Sequence, residues 1–231
     1  MENKITTIMF DKGFKPDDIG HFRGAMLTLL PDDPVLHNHG DDTILYRYPK
    51  VQYKLCQRKA CIIGMDEGAD ILERELHLGD ELTLKLGRRI CTFKVTDKTT
   101  TYFNPDRQDP DGFDYRISGW LPLNQDNHMV YEQMDSMYER ISLLDSILIS
   151  NILRLHRGLE HNIDYQCKAY IKDIIRSGSV KYKGVEMLTL DVTIHTNTCL
   201  PENFGIGKGS ARGHGTIMTI KQQTDDTPDN V

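Results

Sequence analysis

The most constraining feature of this chain is a change of hydrophobic period that occurs in the same order twice. Lys4 to Phe10 (KITTIMF) alternates apolar and β-branched residues and predicts a strand. After Gly13 and Pro16, Asp17 and Asp18 charge a helix start. Ile19, Phe22, Met26, Leu27 and Leu30 then recur at helical spacing as far as Pro31. The stretch PDDPVLHNHGDD reads as a loop, with its prolines, glycine and aspartates. Two strand-like runs follow, ILYRYPKVQYKL and KACIIGM, parted by the polar Cys56-Gln57-Arg58. A short helix, GADILERELHL, stops at Gly79, and ELTLKL and RRICTFKV predict two more strands around Gly87.

Thr99 to Asp114 is rich in Thr, Asp, Pro and Asn and reads as a linker, after which the order restarts. Residues 115–123 (YRISGWLPL) predict a strand. Asp126 or Asn127 caps a helix that carries Met134, Met137, Tyr138, Ile141, Leu144, Leu148, Ile152 and Leu155 on one face. Arg154, His156 and Arg157 suit its C-terminal dipole end, and Gly158 ends it. Residues 164–196 predict a β-hairpin turning at Ser177-Gly178-Ser179, and a glycine-rich segment leads into a last strand, GTIMTIK. Strand, helix, strand, strand, helix, strand is the split βαβ order of a ferredoxin-like domain. The expected class is α+β, as two tandem ferredoxin-like domains. The first spans 1–100, a linker 101–114, the second 115–224, and a polar tail 225–231.

Composition narrows the function classes. With 231 residues, 39% of them hydrophobic, the chain can bury a substantial core, and it is too apolar to be disordered. No apolar run approaches a membrane span, and MENKITTIMFDKGF lacks the pattern of a secretory signal. Five cysteines without a CxxC pair argue against a disulfide framework or a zinc cluster and fit a reducing cytoplasm. The net charge of −6 repels polyanions, so such a partner would have to meet a local basic patch.

Three constellations could carry chemistry. In Leu36-His37-Asn38-His39-Gly40-Asp41-Asp42, two imidazoles two positions apart on extended backbone project to one side. Such a pair can accept and donate protons near neutral pH, or it can hold a metal. HNHGDD resembles the HxHxDH signature of metallo-β-lactamase-fold hydrolases, with Asp42 where the last histidine stands, which leaves open a metal-dependent hydrolase using His37, His39 and Asp41. Tyr46-Arg47-Tyr48-Pro49-Lys50, continuing to Gln52, Tyr53 and Lys54, interleaves tyrosines with cations. That suits a surface that stacks bases and contacts phosphates, and equally an amphipathic strand with its tyrosines half in the core. The third is Phe204 to Gly215, with five glycines in the last eleven residues and Lys208 and Arg212 among them. Exposed amides beside cations suit phosphates, although neither a Walker A loop nor GxGxxG is present.

Together these resemble a known family. Gly205-x-Gly207 and Gly213-x-Gly215 before a final strand resemble the C-terminal glycine-rich loop of the repeat-associated mysterious protein superfamily. Combined with the His-x-His pair and the YRYP strand, the chain resembles the CRISPR repeat-processing endoribonucleases over its whole length. The resemblance implies metal-independent cleavage of CRISPR precursor RNA within the repeat, with no cofactor. The ribose 2′-hydroxyl would attack, leaving a 2′,3′-cyclic phosphate and a 5′-hydroxyl. His37 and His39 match the family's active-site histidines, and Tyr46 an orienting or acid partner. RNA contacts are expected from Arg47, Lys50, Lys54, Gly205, Gly207, Lys208, Arg212, Gly213 and Gly215. Expected partners are the repeat RNA and other CRISPR effector proteins, with no membrane. The long apolar helix face from Met134 to Leu155 suggests a homodimer. A relative that binds RNA without cleaving it is the alternative.

Overall fold

The computed structural model describes residues 2–30, 34–37 and 48–220, and within them two antiparallel sheets. The first unit comprises β1 (Asn3–Phe10), α1 (Ile19–Leu29), a one-turn α2 (Pro34–His37), β2 (Val51–Cys56), β3 (Lys59–Met65), α3 (Glu67–Glu75), β4 (Glu81–Leu86) and β5 (Arg89–Phe103). Its strand order is β2-β3-β1-β5-β4. The second comprises β6 (Phe113–Trp120), α4 (Gln125–Gln133), α5 (Met137–Gly158), β7 (Ala169–Tyr182), β8 (Val185–Thr196) and β9 (Thr216–Thr219), ordered β7-β8-β6-β9. In each unit the first and third strands sit side by side, with the last strand beyond the first. The chain is thus α+β with two ferredoxin-like units, as the sequence pattern predicts.

Two cores follow from the two faces of the first sheet. Ile8, Phe10, Tyr53 and Ile62 pack under Phe22 and Met26 of α1 and Ile71 and Leu72 of α3. On the opposite face, Ile5, Cys61, Ile63 and Met65 join a second core containing Leu144, Leu148, Ile152 and Leu155 of α5 and Ile117, Val192 and Ile194 of the second sheet. β3 is therefore buried on both sides, which is why KACIIGM is nearly continuous in apolar residues rather than alternating. The units share one hydrophobic core, so their relative placement is set by packing.

Several boundaries differ from the sequence-based expectation. The threonine-rich stretch from Thr99 is no linker: β5 continues to Phe103, pairing Thr99 with Thr7 and Phe103 with Asn3. β-branched threonines suit a pleated surface, and only 104–112 remain between the strands. The expected single long helix is two. Asn124, not Asp126 or Asn127, caps α4 by accepting from the Asn127 amide at 2.8 Å, and an extended Met134 interrupts the run. Met137 and Tyr138 are exposed, Met134 and Ile141 are half-buried, and Leu144, Leu148, Ile152 and Leu155 are buried in the core shared with the sheets. The feature that suggested a homodimer is therefore used internally.

His156 does not sit at a solvated helix end. It is buried, with Nε2 3.1 Å from the Cys199 carbonyl and Nδ1 3.0 Å from His161, and burial draws it down to about 4, so it is neutral. The hairpin does not turn at Ser177-Gly178-Ser179, where β7 and β8 remain paired. It turns at Lys183-Gly184, both at positive φ, as a two-residue turn that matches the strand twist.

The shared core generates a stability prediction. Ile152→Ala should cost roughly 2–5 kcal/mol, with one urea transition for the whole chain. Fluorescence of Trp120, the single tryptophan and fully buried in that core, and circular dichroism should report the same midpoint.

Candidate RNA interface

The crossover between β8 and β9 determines the site. In the first unit the corresponding crossover is α3. In the second it is the glycine-rich loop, containing one 3-10 turn, Ser210–Arg212, between Gly209 and Gly213 at φ +77° and +79°. Gly215 is needed for space and conformation: at φ +65°, a β-carbon there would stand 2.0 Å from the Ile206 carbonyl oxygen. The amides of Gly207, Lys208 and Gly209 meet no acceptor among the described residues.

The loop is fastened to the first unit at Gly205. The Tyr48 hydroxyl donates to the Gly205 carbonyl at 2.6 Å and accepts from Gln52 Nε2 at 2.9 Å, and Gln52 Oε1 accepts from the Gly205 amide at 2.7 Å. Tyr48 lies against Gly158 at the end of α5, where a β-carbon would come within 2.3 Å of it. Burial raises the Tyr48 hydroxyl above the ordinary tyrosine value, so it remains a donor. The sequence reading of Tyr48 as a stacking or half-core tyrosine does not reveal this role. Its signal is the even-numbered face it shares with Gln52 and Lys54.

Beneath the other end of the loop lies Lys54. Its side chain is 1% exposed, and its ammonium has no hydrogen-bond partner among the described residues. Burial draws it down to about 7, an effect the neighbouring Cys56 and Cys61 oppose. The loop crosses directly above it: a β-carbon on Gly213 would be 3.7 Å from the Lys54 α-carbon. Two guanidiniums stand alongside. Arg212 reaches toward α1, its Nη1 3.9 Å from where a β-carbon on Gly20 would be. Arg23 of α1 lies 5.9 Å over the Tyr53 ring. Burial, and then repulsion from Arg212, lowers Arg23, while Tyr53 and Tyr182 oppose the shift. Neither Arg212 nor Lys54 has a carboxylate partner among the described residues, so no described acid neutralises them, although the chain's net charge is −6. His214 closes the site, edge-on to Tyr182 at 5.5 Å, and burial lowers it.

The sequence-predicted residues divide accordingly. Lys54, Arg212, Gly205, Gly207, Gly213 and Gly215 come together here, and Lys208 is exposed on the loop. Lys50 is directed elsewhere, its ammonium lying 3.1, 3.5 and 3.6 Å from Asp66, Glu67 and Glu160. That carboxylate cage, rather than a phosphate, is its partner. His39, Tyr46 and Arg47 lie outside the described residues, as do Asp41 and Asp42. His37 ends α2, and its side chain is likewise not described. The flanks of the segment are placed, with Leu36 buried in the first core and Tyr48 fastened to the glycine loop. Arg23, Tyr182 and His214 were not singled out by motif, because α1, the hairpin tip and the loop converge only in the fold.

Two ferredoxin-like units in tandem with a glycine-rich final crossover define the class of fold, and comparison specifies the family. A model described as the Cas6b N-terminal domain matches residues 1–101, and one described as the Cas6b C-terminal domain matches 108–220. The chain belongs to the Cas6b family. It is similar to a crystal structure titled Cas6b, with TM-score 0.83 and 25% identity, over 95% of this chain and all of the other. It also shares the fold of a "CRISPR RNA processing endoribonuclease Cas6b", with TM-score 0.73 and 22% identity, over 95% of this chain and all of the other. An uncharacterized protein of Methanocaldococcus jannaschii is 28% identical over 106 residues, covering 46% of this chain and 71% of that protein.

Two predictions follow from the buried groups. Tyr48→Phe should cost about 1–3 kcal/mol in denaturant unfolding, because it leaves the Gly205 carbonyl unsatisfied and Gln52 Nε2 with only its long 3.4 Å bond to the Pro49 carbonyl. Lys54→Met should stabilise the fold. An unfolded lysine binds its proton up to about 10.5, whereas the buried one releases it near 7. The gain should therefore be full at and below pH 7 and shrink by about 1.4 kcal/mol per unit as pH rises toward 10. Urea midpoints at pH 7 and pH 10 check the sign.

Proposed function

We propose that this chain is a CRISPR RNA endoribonuclease that cleaves within the repeat without a metal ion. The observation that carries this reading is a buried lysine, Lys54, under a glycine loop that carries Arg212, neither of them with a carboxylate partner among the described residues, in a Cas6b-family chain that is otherwise acidic. An anion there relieves a buried charge, and the phosphodiester of RNA is the anion the family's chemistry supplies.

In this reading the 2′-oxygen attacks the adjacent phosphorus, the P–O5′ bond breaks, and the products carry a 2′,3′-cyclic phosphate and a 5′-hydroxyl. One base removes the 2′-proton and one acid protonates the departing 5′-oxygen, and His37 and His39 take these two roles. Tyr46 orients or assists them. Lys54, Arg212 and Arg47 hold the phosphoryl oxygens, where charge builds in the transition state. A lysine that titrates near 7 gains its proton when the phosphate arrives, so its charge is strongest with substrate bound. Lys208 and the free amides of the loop contact the neighbouring backbone.

The test is cleavage of the repeat RNA in EDTA by wild type, His37→Ala and His39→Ala. One cut with a cyclic-phosphate end, reduced at least about 100-fold in each variant while affinity is kept, is the expected result. Tight binding with no cut would make the chain an RNA-binding relative, and cleavage abolished by EDTA would restore the metal reading of HNHGDD. Lys54→Met should lose cleavage although it gains stability.

A further inference from the structure

A cavity of about 320 Å³ opens beside the glycine loop, between the start of α4 and the β7–β8 hairpin. Its size falls at the lower end of the roughly 300–1,000 Å³ of ordinary ligand pockets. Its walls are of two kinds. Leu123, Met187, Val185 and the ring of Tyr182 are apolar, while Asn124 and Gln125 supply carboxamides, His128 an imidazole, and Lys183 and Lys208 two cations. Glu186, the one carboxylate lining it, accepts from Ser179 at 2.9 Å.

Two connections tie this cavity to the cationic centre. Lys208 belongs to the loop and also lines the cavity. Tyr182 lines the cavity and also meets the edge of His214 and lies 3.0 Å from where a β-carbon on Gly209 would be. The hairpin tip adds a third observation. Lys183 occupies a left-handed position, φ +51°, where a two-residue turn is best served by Asn, Asp or Gly. A lysine held there at some conformational cost lines the cavity, with Nζ 5.9 Å from the Tyr182 ring centre.

We propose that this cavity takes one unpaired nucleotide of the RNA that crosses the glycine loop, with its base among Tyr182, Leu123 and Met187 and its phosphate between Lys183 and Lys208. An apolar slot with one aromatic wall suits a base, which has two π-faces and a polar edge, and Gln125 presents a carboxamide to that edge. Two cations among the lining residues suit the phosphate. The inference rests on the RNA-processing reading above and adds a position at which the strand is held by its base.

The test uses the full chain in EDTA, with the repeat RNA and a series of repeat RNAs each carrying one abasic nucleotide. For wild type, one abasic position next to the cleavage site should weaken binding roughly tenfold, the scale of one stacked base. Val185→Trp, which fills the cavity from an exposed position, should weaken binding of the intact RNA to a similar degree, and the same abasic substitution should then have no further effect. Gln125→Ala provides a milder variant at an exposed position, and melting temperatures establish that both variants fold. An abasic penalty unchanged in Val185→Trp, or no abasic position that matters, would overturn the pocket while leaving RNA processing intact. Failure of wild type to bind the repeat RNA would overturn both readings.

Discussion

Gly205 is held by both of its backbone groups. Its carbonyl accepts from a buried tyrosine of the first unit and its amide donates to a buried glutamine of the same unit, and these two side chains are bonded to each other. Two successive peptide groups fixed in this way cannot slide, so the entry to the glycine loop is set by residues more than 150 positions earlier in the chain. The loop's path over Lys54, its contact with α1 and the placing of Lys208 all depend on that anchor. The shared hydrophobic core gives the interface its strength, while this small polar network determines its register.

The electrostatics reconcile an acidic composition with the anionic ligand proposed above. A net charge of −6 describes the far field, whereas around the loop Arg212 and the buried Lys54 have no carboxylate partner among the described residues. Lys50 shows the contrast. It is the same residue type, four positions earlier on the same side of the chain, yet three carboxylates already satisfy it. Which lysines are available to a phosphate is decided by their neighbours in the fold, and composition does not record this.

Much of the fold was legible in the sequence, because periodicity and breakers act locally. The order of elements, the helix from Ile19 and the strand pair on either side of Gln57-Arg58 all follow from hydrophobic spacing. What failed did so where tertiary pairing overrode a local signal. Ser177-Gly178-Ser179 has turn chemistry, but its backbone groups are taken up by β8, and the reversal falls at Lys183-Gly184. Thr99 to Phe103 resembled a linker until β1 offered it a partner. At the site, glycine spacing identified the loop and its basic residues. Arg23, Tyr182 and His214 were not legible, because their meeting joins a helix, a hairpin tip and a loop that are distant in sequence.

The replacement of a helix by a loop in the second unit has a consequence for exchange with solvent. A helical crossover such as α3 spends its amides on its own carbonyls, so they are shielded. The glycine crossover leaves Gly207, Lys208 and Gly209 without acceptors among the described residues while Gly205 and Gly215 are tightly bonded on either side. Protons on the three central amides should therefore trade with deuterium quickly while those at the two ends remain protected. The loop thus combines an unprotected stretch with rigid ends, a profile that a helix at the same place could not have.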